Sequence, residues 1–237
     1  MTASQPLPQG EEKRKAVQAM FDTIAPRYDL VNRVMTFRMD VGWRRRTVRE
    51  LGLRPGSLVV DLASGTGDLC HDLERAGLRP IAVDLSFGML DHATHHHPRV
   101  QGDALALPFA DGSLDGVVCG FALRNFVSLP PMLAELARVL RPGGRIALLD
   151  VSVPANPLLR TGHGIYFGKV VPLIGGLLSD GPAYRYLPRS VAYLPEPAEL
   201  LGMVHAAGFT TVERAQLSTG ISQLISATRD HDRPAVL

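Results

Sequence analysis

Residues 58–68 combine the residue types that bind a small polar ligand. An apolar run at residues 58–62 is typical of a buried parallel strand, and Gly65 and Gly67 follow it. Because glycine lacks a Cβ and a helix N-terminus carries unpaired N–H groups, backbone amides can approach a ligand closely here. Asp61 and Asp68 bracket the glycines, which favours a cationic or hydroxyl-rich ligand over a pyrophosphate. A tight turn without a ligand is the alternative.

A further acidic residue follows the next predicted strand. Residues 80–86 predict a strand that carries Asp84 near its end, roughly twenty residues after the glycines, where a carboxylate accepts hydrogen bonds from ribose hydroxyls. A dinucleotide fingerprint would need a third glycine, and Cys70 stands in its place. Asp84 thus favours a nucleoside ligand, with a surface turn aspartate as the alternative.

The run DLASGTGD at residues 61–68 resembles motif I of the class I S-adenosylmethionine (SAM) methyltransferases. SAM carries an amino group and a sulfonium, which suit nearby carboxylates. The resemblance implies that Asp103 and Ala104 hold the adenine edge and that the fourth strand ends beside the reacting centre. The residues expected to bind SAM are Asp61, Gly65, Thr66, Gly67, Asp84, Asp103, Ala104 and Gly120.

Most of the chain, from about Ala16 to Thr228, resembles the ubiquinone/menaquinone biosynthesis C-methyltransferases. The motifs that carry this resemblance are FDTIAPRYD (21–29), GTGD (65–68), LRN (123–125) and YRYL (184–187). The resemblance implies C-methylation of a prenylated quinol. Demethylmenaquinol is the favoured acceptor, and a benzoquinol or another lipid is the alternative. It also implies substrate contacts from Tyr28, Tyr184, Arg185 and Tyr186. The last strand departs from the family pattern at residues 222–227.

Arg124 and Asn125 directly follow the fourth predicted strand, where open α/β sheets bind ligands. A quinol ring carbon becomes nucleophilic when the neighbouring hydroxyl loses its proton, but a phenol has a pKa of about 10. A guanidinium stabilises the phenolate electrostatically. We therefore expect Arg124 to stabilise the quinolate and Asn125 to orient it. The alternatives are a surface arginine and a helix cap, and no residue is identified as the proton acceptor.

The alternation of strands and helices predicts an α/β, Rossmann-like, doubly wound and mostly parallel seven-stranded sheet. We expect a tail and cap helices at residues 1–50 and the SAM-binding domain at residues 51–237. Residues 152–195 interrupt the alternation with an apolar stretch that contains Lys169 and Pro172, which makes it a poor membrane span. This insertion is expected to form an apolar lid for an isoprenyl tail, at about 0.8 kcal/mol per buried CH₂.

Charge and composition limit which partners and which cellular compartment can be expected. The net charge of +2 implies no general attraction to nucleic acid, and no apolar stretch reaches the length of a membrane span. Without a signal peptide, and with two cysteines in apolar contexts, the chain is expected to be cytoplasmic. A basic helix at residues 41–51 indicates a solvated face, or peripheral contact with anionic lipid on the inner face of the cell membrane. A homodimer remains open.

The histidines at positions 92, 95, 96 and 97 are interpreted as solvated, so no metal site is expected. Three other functions stay open at this point. They are a methyltransferase for a different small acceptor, a nucleotide-binding oxidoreductase, and a SAM-binding protein without catalysis.

Overall fold

A computed structural model describes residues 8–94, 96–178 and 181–231, and a seven-stranded sheet in the order β3-β2-β1-β4-β5-β7-β6 organises them. Pairing is parallel from β3 through β5, and β7 runs antiparallel to both β5 and β6. The strands are β1 (Leu58–Leu62), β2 (Arg79–Asp84), β3 (Arg99–Gln101), β4 (Leu114–Gly120), β5 (Leu140–Val151), β6 (Phe209–Leu217) and β7 (Ser222–Arg229). The predicted α/β class and mostly parallel sheet are confirmed.

Ten α-helices accompany the described strands. They are α1 (Gly10–Ile24), α2 (Tyr28–Met35), α3 (Met39–Leu51), α4 (Asp68–Arg75), α5 (Phe87–Asp91), α6 (Leu129–Val139), α7 (Pro157–Ile165), α8 (Val171–Leu178), α9 (Gly181–Ser190) and α10 (Pro197–Ala206). A π-helical turn, Tyr166–Val170, joins α7 to α8. None of these described helices has the length and apolarity needed to traverse a bilayer.

Successive residues of the central strands alternate between two apolar clusters, as the pleat requires. Val60 and Val117 belong to a cluster that includes side chains of α6 and α10. Val59 and Val118 belong to the opposite cluster, with side chains of α3 and α4. Helices therefore cover both faces of the sheet. Cys70 of α4 and Cys119 of β4 are both buried and form no disulfide.

The inserted segment packs on the N-terminal helices. A third apolar cluster joins Ile24, Val31 and Met35 of the N-terminal part to Val171 and Ala183 of the insertion. The chain order places β1 and β4 side by side although β2 and β3 lie between them in sequence. At such a reversal a crevice opens beyond the carboxyl ends of the strands. The N-terminal helices and the inserted segment meet over this crevice.

Strand β5 contains a local irregularity near its start. Residues 141–144, whose sequence Arg-Pro-Gly-Gly is typical of a turn, lie within β5. The β4–β5 ladder passes from the pair Leu114↔Leu140 directly to Gly116↔Arg145, so these four residues are looped out of regular pairing. Gly143 accommodates this with φ of +76°. A bulge of this kind depends on the partner strand and is not visible in local sequence.

Candidate active site

Two adjoining cavities occupy the crevice at the β1–β4 reversal. The larger, of about 450 Å³, is lined by the N-terminal helices, the loop after β1, the end of β4 and the insertion. The smaller, of about 90 Å³, lies toward β2 and the loop after β3. Tyr28, Gly65, Gly120 and Phe121 line both cavities. The two spaces therefore form one site with a smaller branch toward β2.

The loop after β1 takes a backbone path that requires small residues. Ala63, Gly65 and Gly67 have φ of +53°, +56° and +89°. Gly67 stands at the N-cap of α4, so the free amides of that helix face the loop. The amide of Gly65 donates to Asp84 Oδ2 over 2.8 Å, which ties the loop to the end of β2. The predicted strand, glycine turn and helix are all present.

Asp61 is a buried carboxylate with an unused oxygen. Its Oδ2 accepts a hydrogen bond from Cys70 Sγ over 3.4 Å. Its Oδ1 is shielded from water and has no hydrogen-bond partner among the described residues. Burial raises the pKa of Asp61 to about 7. A cationic group in the larger cavity would donate a hydrogen bond to Oδ1 and stabilise the negative charge of the carboxylate.

Asp84 ends β2 in the wall of the smaller cavity. It accepts from the amides of Gly65 and Ser86, each over 2.8 Å, while burial raises its pKa to about 6. Asp103 and Ala104 line the same cavity. The sequence-predicted ribose and adenine contacts therefore lie together in one space, although their roles stay predictions.

The N-terminal helices close over the loop through side-chain contacts. Thr66 Oγ1 donates to Asp29 Oδ1 over 2.6 Å, and Arg33 pairs with Asp68 at 3.3 Å. Arg44 pairs with Asp68 at 3.2 Å and also with Asp40. The predicted basic face of α3 thus needs correction, since Arg44 is turned inward. The run of basic residues around Arg44 in the sequence does not indicate that Arg44 pairs with acidic side chains of α3 and α4.

Arg124 is held beside the cavities by a buried ion pair. Its Nη1 pairs with Asp150 Oδ1 and also donates to the carbonyl of Phe121 over 2.7 Å. Its Nε donates to Ser190 Oγ over 3.1 Å. Only 6% of Arg124 is exposed, so the surface-arginine alternative is wrong. These bonds engage Nε and Nη1 and leave Nη2 for the cavity that Arg124 lines.

The sequence analysis missed Asp150. This residue is fully buried at the end of β5 and also accepts from the amides of Arg124 and Val151. Asp150 could have been identified from the sequence, because it is an acid at the carboxyl end of an apolar strand, as Asp61 and Asp84 are. Its partner lies 26 residues earlier in the chain, which hides the pairing.

Asn125 lines the smaller cavity rather than capping a helix. The N-cap of α6 is Ser128, so the helix-cap alternative is wrong. Asn125 Oδ1 accepts from the Tyr186 hydroxyl over 3.4 Å, and Nδ2 has no hydrogen-bond partner within the described part of the chain. Tyr186, whose pKa burial raises to about 12, thereby joins the site. Tyr184 and Arg185 lie on α9, and their side chains fall outside what the structure describes.

Unpartnered buried polar atoms concentrate around the cavities. Of the eight buried side-chain atoms without a hydrogen bond among the described residues, six belong to residues that line one of the two spaces. One of the six, Arg44 Nε, lies 3.5 Å from Asp72 Oδ2 in an ion pair. The other five are Asp61 Oδ1, Ser64 Oγ, Asn125 Nδ2, His163 Nε2 and Ser222 Oγ. Since buried polar groups are normally paired, this distribution indicates a site that polar groups of a ligand complete. His163 and Ser222 were not predicted from the sequence.

The expected absence of a metal remains a prediction. Among the described residues, His71, Glu74 and His97 bring their ligand atoms within 4.8 Å of one another, away from the two cavities. His92 and His96 do not join this group, and His95 lies outside the described residues.

Comparison with known proteins agrees with this geometry. Residues 9–229 match the model of the ubiE/COQ5 methyltransferase family. A demethylmenaquinone methyltransferase of Deinococcus radiodurans is 44% identical, covering 94% of this chain and 97% of the relative. The ubiquinone/menaquinone biosynthesis C-methyltransferase of Syntrophotalea carbinolica is 41% identical over 89% of this chain and 92% of its own.

A solved structure supports the fold at greater distance. A phosphoethanolamine N-methyltransferase of Haemonchus contortus, solved with S-adenosyl-L-methionine, superposes with a TM-score of 0.61 at 14% identity, covering 80% of this chain and 52% of that one. The family match decides against the oxidoreductase alternative. With its buried acids, its glycine loop and its matched residues taken together, the chain belongs to the ubiE/COQ5 methyltransferase family.

Proposed function

We propose that this protein transfers the methyl group of SAM to a ring carbon of demethylmenaquinol and so forms menaquinol. One observation carries the proposal. An arginine fixed by a buried carboxylate, Arg124 with Asp150, lines the same apolar cavity as the cofactor loop. The name of the Deinococcus relative supports a naphthoquinol acceptor.

The chain offers SAM a matching set of contacts. Asp61 Oδ1, buried and unpartnered in the described region, suits the amino group, and Asp84 suits the ribose hydroxyls. Asp103 and Ala104 suit the adenine edge. Gly65 has no side chain at the point where a Cβ would lie 3.7 Å from the ring of Tyr28, so this part of the cavity stays open. When bound, SAM supplies an electrophilic methyl group on its sulfonium.

Arg124 acts on the acceptor. The Nη2 edge of its guanidinium stabilises the quinolate oxygen, and the low-dielectric surroundings strengthen that attraction. Asp150 and Ser190 fix the plane of the guanidinium, so little reorganisation is needed when the charge develops. Asn125, whose Nδ2 is unpaired in the described region, orients the ring from the adjoining smaller cavity. Positioning of the ring carbon against the methyl group then does most of the remaining work.

The open side of the larger cavity suits an isoprenyl tail and a membrane surface. Phe37 and Leu158 line the cavity and are 70% and 81% exposed, and Leu177 on α8 is 76% exposed. Exposed apolar groups at the mouth of a site are typical of lipid contact. We call the exposed apolar residues at the opening, Phe37 and Leu158, the apolar rim. We infer that the quinol enters with its tail toward this rim while the protein lies peripherally on the bilayer.

A transfer assay tests the proposal. Purified protein is incubated with radiolabelled SAM and demethylmenaquinol, kept reduced with dithionite, and in parallel with the demethylated benzoquinol of ubiquinone synthesis. We expect label in the naphthoquinol. The name of the Syntrophotalea relative covers both pathways, so labelling of the benzoquinol alone would favour that acceptor instead. Label in neither quinol would contradict the proposal.

A further inference from the structure

We propose that His163 is the general base of the reaction and accepts the hydroxyl proton of the quinol at Nε2. This inference rests on the proposed function and adds the group that takes the proton. Neither the motifs nor the family description assigns it.

His163 stands in the inserted segment but faces the reacting space. It lies near the end of α7 and lines the larger cavity together with Arg124, Asp61 and Gly120. The centroid of its ring is 4.3 Å from that of Phe167, at an interplanar angle of 32°. A stacked neighbour on the following π-helical turn therefore fixes the orientation of the imidazole.

The Nε2 atom of His163 needs a partner that the described residues do not supply. It is shielded from water and makes no hydrogen bond within the described part of the chain. A buried polar nitrogen without a partner is costly, whereas a substrate hydroxyl would complete it. The atom is thus placed to receive a hydrogen bond, and then a proton, from a ligand in this cavity.

The protonation state of His163 fits this role. Burial lowers the pKa of His163 below its ordinary value of 6.5. The imidazole is therefore neutral at pH 7, and in the tautomer with the proton on Nδ1 the Nε2 lone pair is free to accept. A neutral imidazole is a general base that can accept the proton at neutral pH.

The other ionisable groups around the larger cavity are engaged or unsuited. They are Tyr28, Asp40, Arg44, Asp61, Asp68, Arg124 and Tyr166. Asp40 and Asp68 pair with Arg44, and Asp61 lies in the strand that approaches the cofactor loop. Burial raises the pKa of both tyrosines, and Tyr166 donates its hydroxyl to the carbonyl of Met35 over 2.5 Å. Asp150 behind them is committed to Arg124.

The step balances without another reagent. The quinol O–H bond breaks and its proton passes to Nε2, while the oxygen electron pair shifts through the ring to the neighbouring carbon. That carbon forms a bond to the methyl group, the methyl–sulfur bond breaks, and its electron pair stays on sulfur. The proton on the methylated ring carbon then leaves to solvent, and the protonated His163 returns its own proton to the oxygen.

The test replaces the nitrogen while keeping the aromatic stack. His163→Phe should lower kcat by about 10²–10⁴-fold, the usual contribution of a general base, with the KM for SAM within about twofold. In the wild type at saturating SAM, kcat/KM for the quinol should fall as the pH drops through the lowered pKa of His163, and in the variant this acid limb should be absent. The matched control, His205→Phe on the exposed side of α10, should keep wild-type rate and profile.

A second variant separates catalysis from packing. His163→Ala should recover part of its rate when free imidazole is added, which a structural role would not produce. A wild-type rate in His163→Phe, or an unchanged acid limb, would overturn the inference and leave the proposed function intact. A wild-type enzyme that methylates no quinol would overturn both.

Discussion

At the scale of residues, the site depends on acids that burial keeps partly protonated. The pKa of Asp61 is raised to about 7, so its ionised fraction grows as pH rises through that value. The raised pKa also means that the empty protein loses stability from Asp61 as pH rises above its unfolded pKa, because burial penalises the charged form. A bound cation reverses this penalty.

The affinity for S-adenosylhomocysteine should therefore increase by about tenfold between pH 5.5 and 7.5, as the Asp61 carboxylate forms opposite the ligand's amino group. Isothermal titration calorimetry across this range measures the effect. Asp61→Asn should bind weakly with a flat pH dependence. An affinity in the wild type that does not change with pH would separate Asp61 from the amino group.

Asp84→Asn should raise the KM for SAM by about 10–100-fold, which corresponds to the loss of charge-assisted hydrogen bonds. The change weakens the proposed ribose contact and the bonds to the amides of Gly65 and Ser86. Asp111→Asn, at an exposed carboxylate far from the cavities, is the matched control. Equal KM values for the two variants would remove Asp84 from the cofactor site.

Arg124 requires a gentler substitution than alanine. Truncation would leave Asp150 buried without its partner, a loss of about 3–5 kcal/mol of stability that would obscure catalysis. Arg124→Lys keeps the charge and loses the fork, so kcat should fall by about 10²-fold while S-adenosylhomocysteine binds normally. Steady-state rates and calorimetry check this. Full turnover in Arg124→Lys would show that the quinolate needs no guanidinium.

At the scale of elements, the N-terminal helices form a cover that side-chain hydrogen bonds attach to the loops beneath it. Thr66 bonds Asp29 at the start of α2, and Asp22 on α1 accepts from Ser86 Oγ over 2.5 Å and from the amide of Gly88 over 2.9 Å. These contacts join the cover to the loops around the proposed cofactor site. The motif at residues 21–29 therefore has a physical role in closing the site.

Asp29→Ala should loosen this cover. Amide hydrogen exchange in α2 should become faster, and the KM for SAM should rise by about three- to tenfold, since one buried hydrogen bond contributes about 1 kcal/mol. Arg33→Ala serves as control, because its half-exposed pair with Asp68 should contribute little. Unchanged exchange in Asp29→Ala would show that the Thr66–Asp29 bond does not hold the cover in place.

Elements with strong local signals were predictable, and those set by tertiary partners were not. The glycine loop and the strand to Asp84 follow from residues 58–86, where apolar runs and glycines agree. The bulge at residues 141–144 follows from the register of β4 against β5. The Arg124–Asp150 pair and the position of His163 follow from how the insertion and the strand ends meet, which no short window of sequence contains.

At the scale of the whole molecule, a nearly neutral chain presents one apolar rim. The net charge of +2 gives little general attraction to anionic lipid, so the proposed membrane contact would come from exposed apolar side chains such as Phe37 and Leu158. The inward turn of Arg44 weakens the electrostatic alternative further. The rim surrounds the cavity, so membrane contact and substrate entry would share one surface.

Phe37→Ser should reduce binding to phosphatidylglycerol-containing vesicles and lower kcat/KM for a long-tailed quinol, while a tail-less quinol is turned over as before. Phe87→Ser is the matched control, since Phe87 is similarly exposed but does not line the larger cavity. Vesicle sedimentation and steady-state rates provide the readouts. Equal losses in both variants would place the lipid contact elsewhere.

The most direct measurement follows a deuterated methyl group. The protein is supplied with SAM carrying a trideuteromethyl group and with demethylmenaquinol, and the product is fragmented in a mass spectrometer. The account predicts one trideuteromethyl group on the naphthoquinol ring carbon beside a hydroxyl. A label on oxygen, or an unlabelled quinol beside intact SAM, would contradict it.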